Sequence, residues 1–195
     1  MRTISKVINL YKLEELSEKA QERAYNRFLE NNYYIWSGEN EETLKEFEHV
    51  FDVDVKDWEY DEYRYKFRLV FPNDDKRIEL YGEKLSKLIM NCYWEHLFVG
   101  KVYYKNKKRR RSRILKTSDC VLTGYIGDDF ILKPIYDFLR KPDKYTNFED
   151  LMNDCVDSFF SYCQKDLEYY NSYANFEDVS KGNDLEYLEN GELLR

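Results

Sequence analysis

Between Tyr63 and Phe71 apolar and polar residues alternate, with Tyr63, Tyr65, Phe67, Leu69 and Phe71 on one face and Arg64, Lys66 and Arg68 on the other. A period of two is the spacing of a half-buried strand, and Ile4, Lys6, Ile8 and Leu10 predict an opening strand on the same grounds. Pro72 to Asp75 read as a turn, after which Ile78 and Leu80 form a short strand pairing back as a hairpin. Elsewhere the period is helical. Leu16, Ala20, Ala24 and Phe28 share one face of a first helix with Ser17 as N-cap, and Gly38 and Asn40 break the chain before a second carrying Leu44, Phe47 and Phe51. A third, after Gly82, buries Leu85, Leu88, Ile89, Cys92 and Leu97. Pro134 suits the first turn of a short helix ending before Pro142, because that turn does not use the donor proline lacks. Thr146 and Glu149 match a capping box opening a fifth helix, whose stripe of Leu151, Met152, Cys155, Phe159, Tyr162, Cys163, Leu167 and Tyr170 is the strongest helical pattern in the chain. Beyond Tyr173 the chain is acidic and weakly patterned, with Asn190 and Gly191 as a tight turn.

These elements predict one α+β domain over residues 1–172: a small antiparallel sheet packed against about five helices, the long amphipathic C-terminal one being central. Residues 173–195 form an acidic segment packed on it or flexible. With 43% hydrophobic and 17% aromatic residues the chain can fill a core. Nineteen tyrosines suit the rim of that core or a recognition surface.

No secretory apolar region follows Met1, since Arg2, Lys6 and Lys12 interrupt it, and no apolar run approaches the roughly 20 residues of a membrane span. A cytoplasmic protein with no membrane contact is expected. Cys92, Cys120, Cys155 and Cys163 lie in apolar surroundings without close pair spacing and read as core thiols in a reducing compartment. His49 and His96 have no CxxC or HxxxH pattern to complete a zinc site. No P-loop, GxGxxG or GxSxG is present, so neither a cofactor nor a catalytic residue is expected. Asp52, Asp54 and Asp57, or Asp128 and Asp129 after Gly127, are the carboxylates a minority reading assigns to a divalent cation.

Net charge is −7, and it is segregated. Glu30 to Glu62 holds twelve acidic residues against Lys45 and Lys56, and Asp143 to Glu192 thirteen against three lysines. Between them Lys101 to Lys116 holds nine basic residues and no acid. Val102 to Tyr104 and Ile114 to Leu115 flank the run Lys105, Lys107, Lys108, Arg109, Arg110, Arg111 and Arg113, as arms of a hairpin with a charged tip. Such a run is a solvated loop or a contact with phosphates or an acidic partner, and Tyr103 and Tyr104 at its base either stack on unpaired bases or belong to the sheet. The opposite charge offers a second interface: Glu41, Glu42, Glu46, Glu48, Asp52, Asp54 and Asp57 along a helix and strand can imitate phosphate spacing toward a basic groove.

The segments YKLEELSEKAQERA (Tyr11 to Ala24), SDCVLTGYIGDDFILKPIYDFL (Ser118 to Leu139) and NFEDLMNDC (Asn147 to Cys155) resemble a family of small proteins of phages and prophages of Gram-positive bacteria, often given an antitoxin-like label. The resemblance spans most of the chain and carries no catalytic signature. It implies inhibition of host defence, as anti-CRISPR proteins inhibit Cas9, in the cytoplasm of a host bacterial cell. The partner it implies is a host nuclease or Cas9-type ribonucleoprotein, whose basic grooves and guide RNA match acidic faces and a basic hairpin. An antitoxin-like or RNA-binding regulator and a metal-dependent nuclease remain the alternatives.

Overall fold

A computed structural model describes residues 7–98, 100–105, 108–115 and 120–194, the stretches 100–105 and 108–115 by backbone alone. In chain order the elements are α1 (Glu18–Asn31), α2 (Ser37–Phe51), β1 (Asp54–Tyr60), β2 (Tyr65–Val70), α3 (Gly82–Cys92), α4 (Trp94–Leu97), β3 (Gly100–Lys105), β4 (Lys108–Leu115), α5 (Gly127–Arg140), α6 (Phe148–Tyr170) and α7 (Tyr173–Gly182). The architecture is α+β, with antiparallel pairs β1–β2 and β3–β4 among the helices. The chain packs as two compact units, Met1–Tyr34 with Asp166–Arg195, and Ile35–Lys165. Residues 173–194 belong to the first of these and contribute helix α7.

In the unit Ile35–Lys165, Leu44, Phe47 and Phe51 of α2, Leu85 and Ile89 of α3, Ile131 and Ile135 of α5 and the α6 stripe share one core. Each such side chain contributes about 1.5–3 kcal/mol through burial. Leu151, Met152, Cys155, Val156, Phe159, Phe160 and Cys163 are all buried, the broad apolar face their spacing requires. The capping box forms one residue later than Thr146 and Glu149 predict: Asp150 N donates to Asn147 Oδ1 at 2.8 Å. Thr146 Oγ1 is instead turned to Asp143 Oδ2 at 2.6 Å.

Helix α5 starts seven residues before Pro134, placing the proline inside rather than in the first turn. A proline there deprives the carbonyl four residues back of its donor. That carbonyl, Phe130 O, receives Ser158 Oγ of α6 at 2.8 Å, so the lost helical bond is replaced by a tertiary one. In the same way Gly38 and Asn40 lie within α2 rather than before it. Asn40 is buried with Nδ2 3.4 Å from Tyr60 Oη, and Gly38 sits in a first turn whose N–H groups have no helical acceptor.

Strand β2 keeps the predicted alternation from Tyr65 to Leu69, while Tyr63 lies before the strand and is exposed, and it pairs with β1, not with Ile78–Leu80. Lys76–Glu79 form a 3-10 turn capped by Asp75. An extra residue in β1 between Lys56 and Glu59, with Asp57 at φ +53°, marks a bulge that breaks the period of two. Cys155 and Cys163 are buried, and burial pushes the Cys155 thiol pKa up. Cys92 is exposed rather than part of the α3 stripe, because the helix ends there and Tyr93 takes the buried place.

In the terminal unit Leu13, Leu16, Ala20, Ala24, Phe176 and Tyr187 form a second core. Tyr11 and Tyr187 exchange two backbone hydrogen bonds of 2.9 Å, and Ser180 Oγ and Tyr187 Oη meet at 2.7 Å. Residues 7–10 form no strand, and Val7 is exposed; Ile4 and Lys6 lie outside the described residues. The predicted turn at Asn190–Gly191 is present, closed by Gly191 N on Leu188 O at 2.8 Å. Gly191 has φ +84°, and a Cβ there would stand 2.2 Å from Ala20 O, so both conformation and space demand glycine.

Candidate nucleic-acid and partner interface

The basic run does not cap the hairpin as a loop: Lys108, Arg109, Arg110, Arg111 and Arg113 lie within β4, and Lys105 closes β3. The ladder pairs Lys105 with Lys108, Tyr104 with Arg109, Tyr103 with Arg110 and Val102 with Arg111, before a register shift brings Leu115 opposite Gly100. Backbone pairing is indifferent to side-chain polarity, and cations are common on strand edges, where they oppose further pairing. Lys107 lies outside the described residues. The result is an antiparallel ribbon carrying its cations along a strand. Such ribbons fit the major groove or track a phosphate backbone.

Three of the seven acidic candidates face cations on their own hairpin or helix. Lys56 Nζ lies 3.2 Å from Asp54, Arg68 Nη2 2.7 Å from Asp57, and Lys45 Nζ 3.5 Å from Glu41. Glu48 accepts Val55 N at 2.6 Å, which ties α2 to β1, and Asp52 is 3.8 Å from Arg77. Glu42 stands beside Tyr125, whose phenol pKa its charge raises. Glu46 is half-buried on α2. The structure thus strings these carboxylates along α2 and β1, with much of their charge countered locally.

Asp128 and Asp129 have other duties. Asp128 is fully buried, and its Oδ2 accepts the backbone N–H groups of Leu122, Thr123 and Gly124 at 2.9, 2.8 and 3.1 Å. Its Oδ1 accepts Thr123 Oγ1 at 2.8 Å, and Thr43 Oγ1 approaches to 3.4 Å. The loop before α5 is therefore wrapped around this carboxylate, which sits in the first helical turn where negative charge is favoured. Asp129 takes Cys120 N at 3.0 Å. Among the described residues no three His, Cys, Asp or Glu side chains converge as a metal site. Asp128→Asn turns an amide toward donors at one of these oxygens, and a loss of about 1.5–3 kcal/mol in chemical denaturation is expected. A change below about 0.5 kcal/mol would show that the loop does not depend on the charge.

Ahead of the ribbon lies an aromatic group that the sequence pattern assigned to no site. Trp94 in α4 and Phe98 just after it have ring centroids 4.4 Å apart at 32°, and Tyr136 of α5 meets the Phe98 ring at 5.6 Å. Trp94 is 38% exposed. The terminal unit holds a separate groove of about 560 Å³, lined by Phe28, Phe176, Leu185 and Tyr187 and by the ion-paired Arg27 and Glu192.

Among the described residues no helix is long and apolar enough to cross a membrane. No family model, curated protein or solved structure matches the chain.

Proposed function

We propose that this chain is a non-catalytic, stoichiometric inhibitor of a bacterial nucleic-acid-guided nuclease of the Cas9 type, with the β3–β4 ribbon held against the phosphates of the guide RNA. The observation that carries the nucleic-acid contact is the ribbon. Seven of the nine positions from Lys105 to Arg113 are cationic, five of them in β4 and four of those in succession, with no acid between Lys101 and Lys116. A like-charged strand is disfavoured by its own repulsion unless a polyanion meets it. The acidic stretch of α2 and β1 ranks second as an interface, since Asp54, Asp57 and Glu41 already face cations. The choice of target rests on the phage-family resemblance of Tyr11–Ala24, Ser118–Leu139 and Asn147–Cys155. An antitoxin-like or RNA-binding regulator would use the same ribbon on a different RNA. A metal-dependent nuclease fits less well, because both oxygens of Asp128 are occupied by N–H and hydroxyl donors.

Capture of the purified chain's partners from a bacterial lysate, with half the sample treated with ribonuclease, tests this. A guided nuclease recovered from the untreated half and depleted by ribonuclease is the expected result. RNA recovered without any nuclease would favour the regulator. In the same assay the variant Lys108→Gln, Arg109→Gln, Arg110→Gln, Arg111→Gln should lose capture while keeping the wild-type circular dichroism spectrum. Wild-type capture by that variant would make the ribbon a bystander and α2–β1 the leading interface.

A further inference from the structure

We infer that Trp94 and Phe98 form a stacking platform for an unpaired nucleobase of a single-stranded RNA whose phosphates follow the β3–β4 ribbon. This rests on the ribbon reading and names its ligand more closely: a single strand rather than a duplex. Trp94 leaves 38% of its surface in water although Leu97, three residues on, is buried, so the indole is displayed rather than packed away. Its partner ring is braced. Phe98 meets Trp94 at 4.4 Å on one side and Tyr136 at 5.6 Å on another, and Tyr136 Oη is fixed by Leu97 O at 2.7 Å. A rigid aromatic pair loses little freedom when a base is laid on it, and every base has a π-face, so such platforms are tolerant of sequence.

Position and charge select the ligand. Gly100, where β3 starts, is two residues beyond Phe98, at most about 7 Å of extended chain. The platform is therefore tied to the Gly100–Leu115 end of the ribbon, where Arg111 pairs with Val102, while Lys105 and Lys108 close the far end, so a strand stacked there would run its phosphates along the ribbon from that end. Trp58 is comparably exposed, and an acid follows each tryptophan, Glu59 after Trp58 and Glu95 after Trp94. The two differ in position: Trp58 also has Glu41 beside it, whereas Trp94 stands six residues before the start of β3. In duplex RNA the bases are paired and stacked, which leaves the ribbon's phosphate contacts available and the platform without a ligand.

The test is a fluorescence titration of the full chain with oligouridylate and with duplex RNA of equal length. Wild type should bind oligouridylate with quenching of indole emission. Trp94→Ala should weaken that binding about tenfold, within the range that loss of one stacked base produces. Its salt dependence should be unchanged, because no phosphate contact is removed. Trp94→Phe should retain most of the affinity and lose most of the quenching, which separates stacking from loss of the fold. Duplex affinity should be the same for all three proteins. Wild-type affinity of Trp94→Ala for oligouridylate, alongside lost binding in the four-fold Gln variant, would overturn the platform and leave the ribbon intact. Failure of the wild-type chain to bind either RNA would overturn both.

Discussion

Phe160→Ala is expected to destabilise the unit Ile35–Lys165 by about 3–5 kcal/mol in chemical denaturation, as truncation of a buried phenylalanine does. Phe160 is 1% exposed and is the ring on which β1–β2 rests. Trp58 and Tyr60 of β1 lie 5.7 and 6.0 Å from it, Tyr65 and Phe67 of β2 at 6.2 and 5.6 Å, and Phe159 at 5.4 Å. A two-stranded hairpin is marginal on its own. Loss of this ring therefore detaches the sheet as well as leaving a cavity, and emission from Trp58 should shift toward that of a solvated indole. A loss below about 1 kcal/mol would show that the hairpin is held elsewhere.

Arg77→Ala is expected to cost a similar amount, about 3–5 kcal/mol, because it strands a buried partner. Arg77 Nη2 lies 2.6 Å from Asp75, whose side chain is only 6% exposed. The other donors of the guanidinium reach Phe51 O at 2.7 Å, Asp52 O at 3.0 Å and Tyr93 Oη at 2.9 Å. Arg77 thus satisfies the carbonyls that α2 leaves open at its C-terminus, and its planar face lies 4.6 Å from the Phe148 ring. Burial works against its charge, yet Asp75 and Tyr93 outweigh it and raise its pKa. Lysine has neither the fork nor the plane, so Arg77→Lys should recover little.

The same pair sets an acid limit. Hydrogen bonds from Arg77 hold the Asp75 carboxyl below its ordinary 3.8. A depressed carboxylate pKa contributes stability that is complete above the unfolded value and is lost as pH falls through the folded one. Melting temperature should therefore fall as pH drops below about 3.8, and Asp75→Asn should flatten that part of the curve. An identical acid limb in the variant would assign the loss to other carboxylates.

The elements legible in the sequence are those whose burial follows one period. The α6 stripe, the alternation of β2 and the Leu85–Ile89 face of α3 all lie as their spacing predicts. β1 shows no alternation of its own, because a bulge at Asp57 and a single buried residue, Val55, erase it. α7 gives no clear period, because it buries only Phe176 and Ser180 and starts three residues after α6 ends. The start of α5 departs from the proline rule because Ser158, twenty-eight residues beyond Phe130, supplies the donor that makes an internal proline tolerable. At the candidate site the hairpin was legible from its apolar arms, but assigning the cations to a loop overlooked that strand pairing needs only backbone. Trp94 and Phe98 gave no periodic signal, since α4 has four residues.

The salt dependence of RNA binding tests the central claim most directly. With four to seven cations of Lys105–Arg113 on phosphates, log K for oligouridylate should fall against log salt with a slope of about −3 to −5, since each phosphate contact on a single strand contributes about −0.7. The four-fold Gln variant should flatten it by about 0.7 for each contact removed. A wild-type slope shallower than about −1, or one that the variant leaves unchanged, would contradict the account.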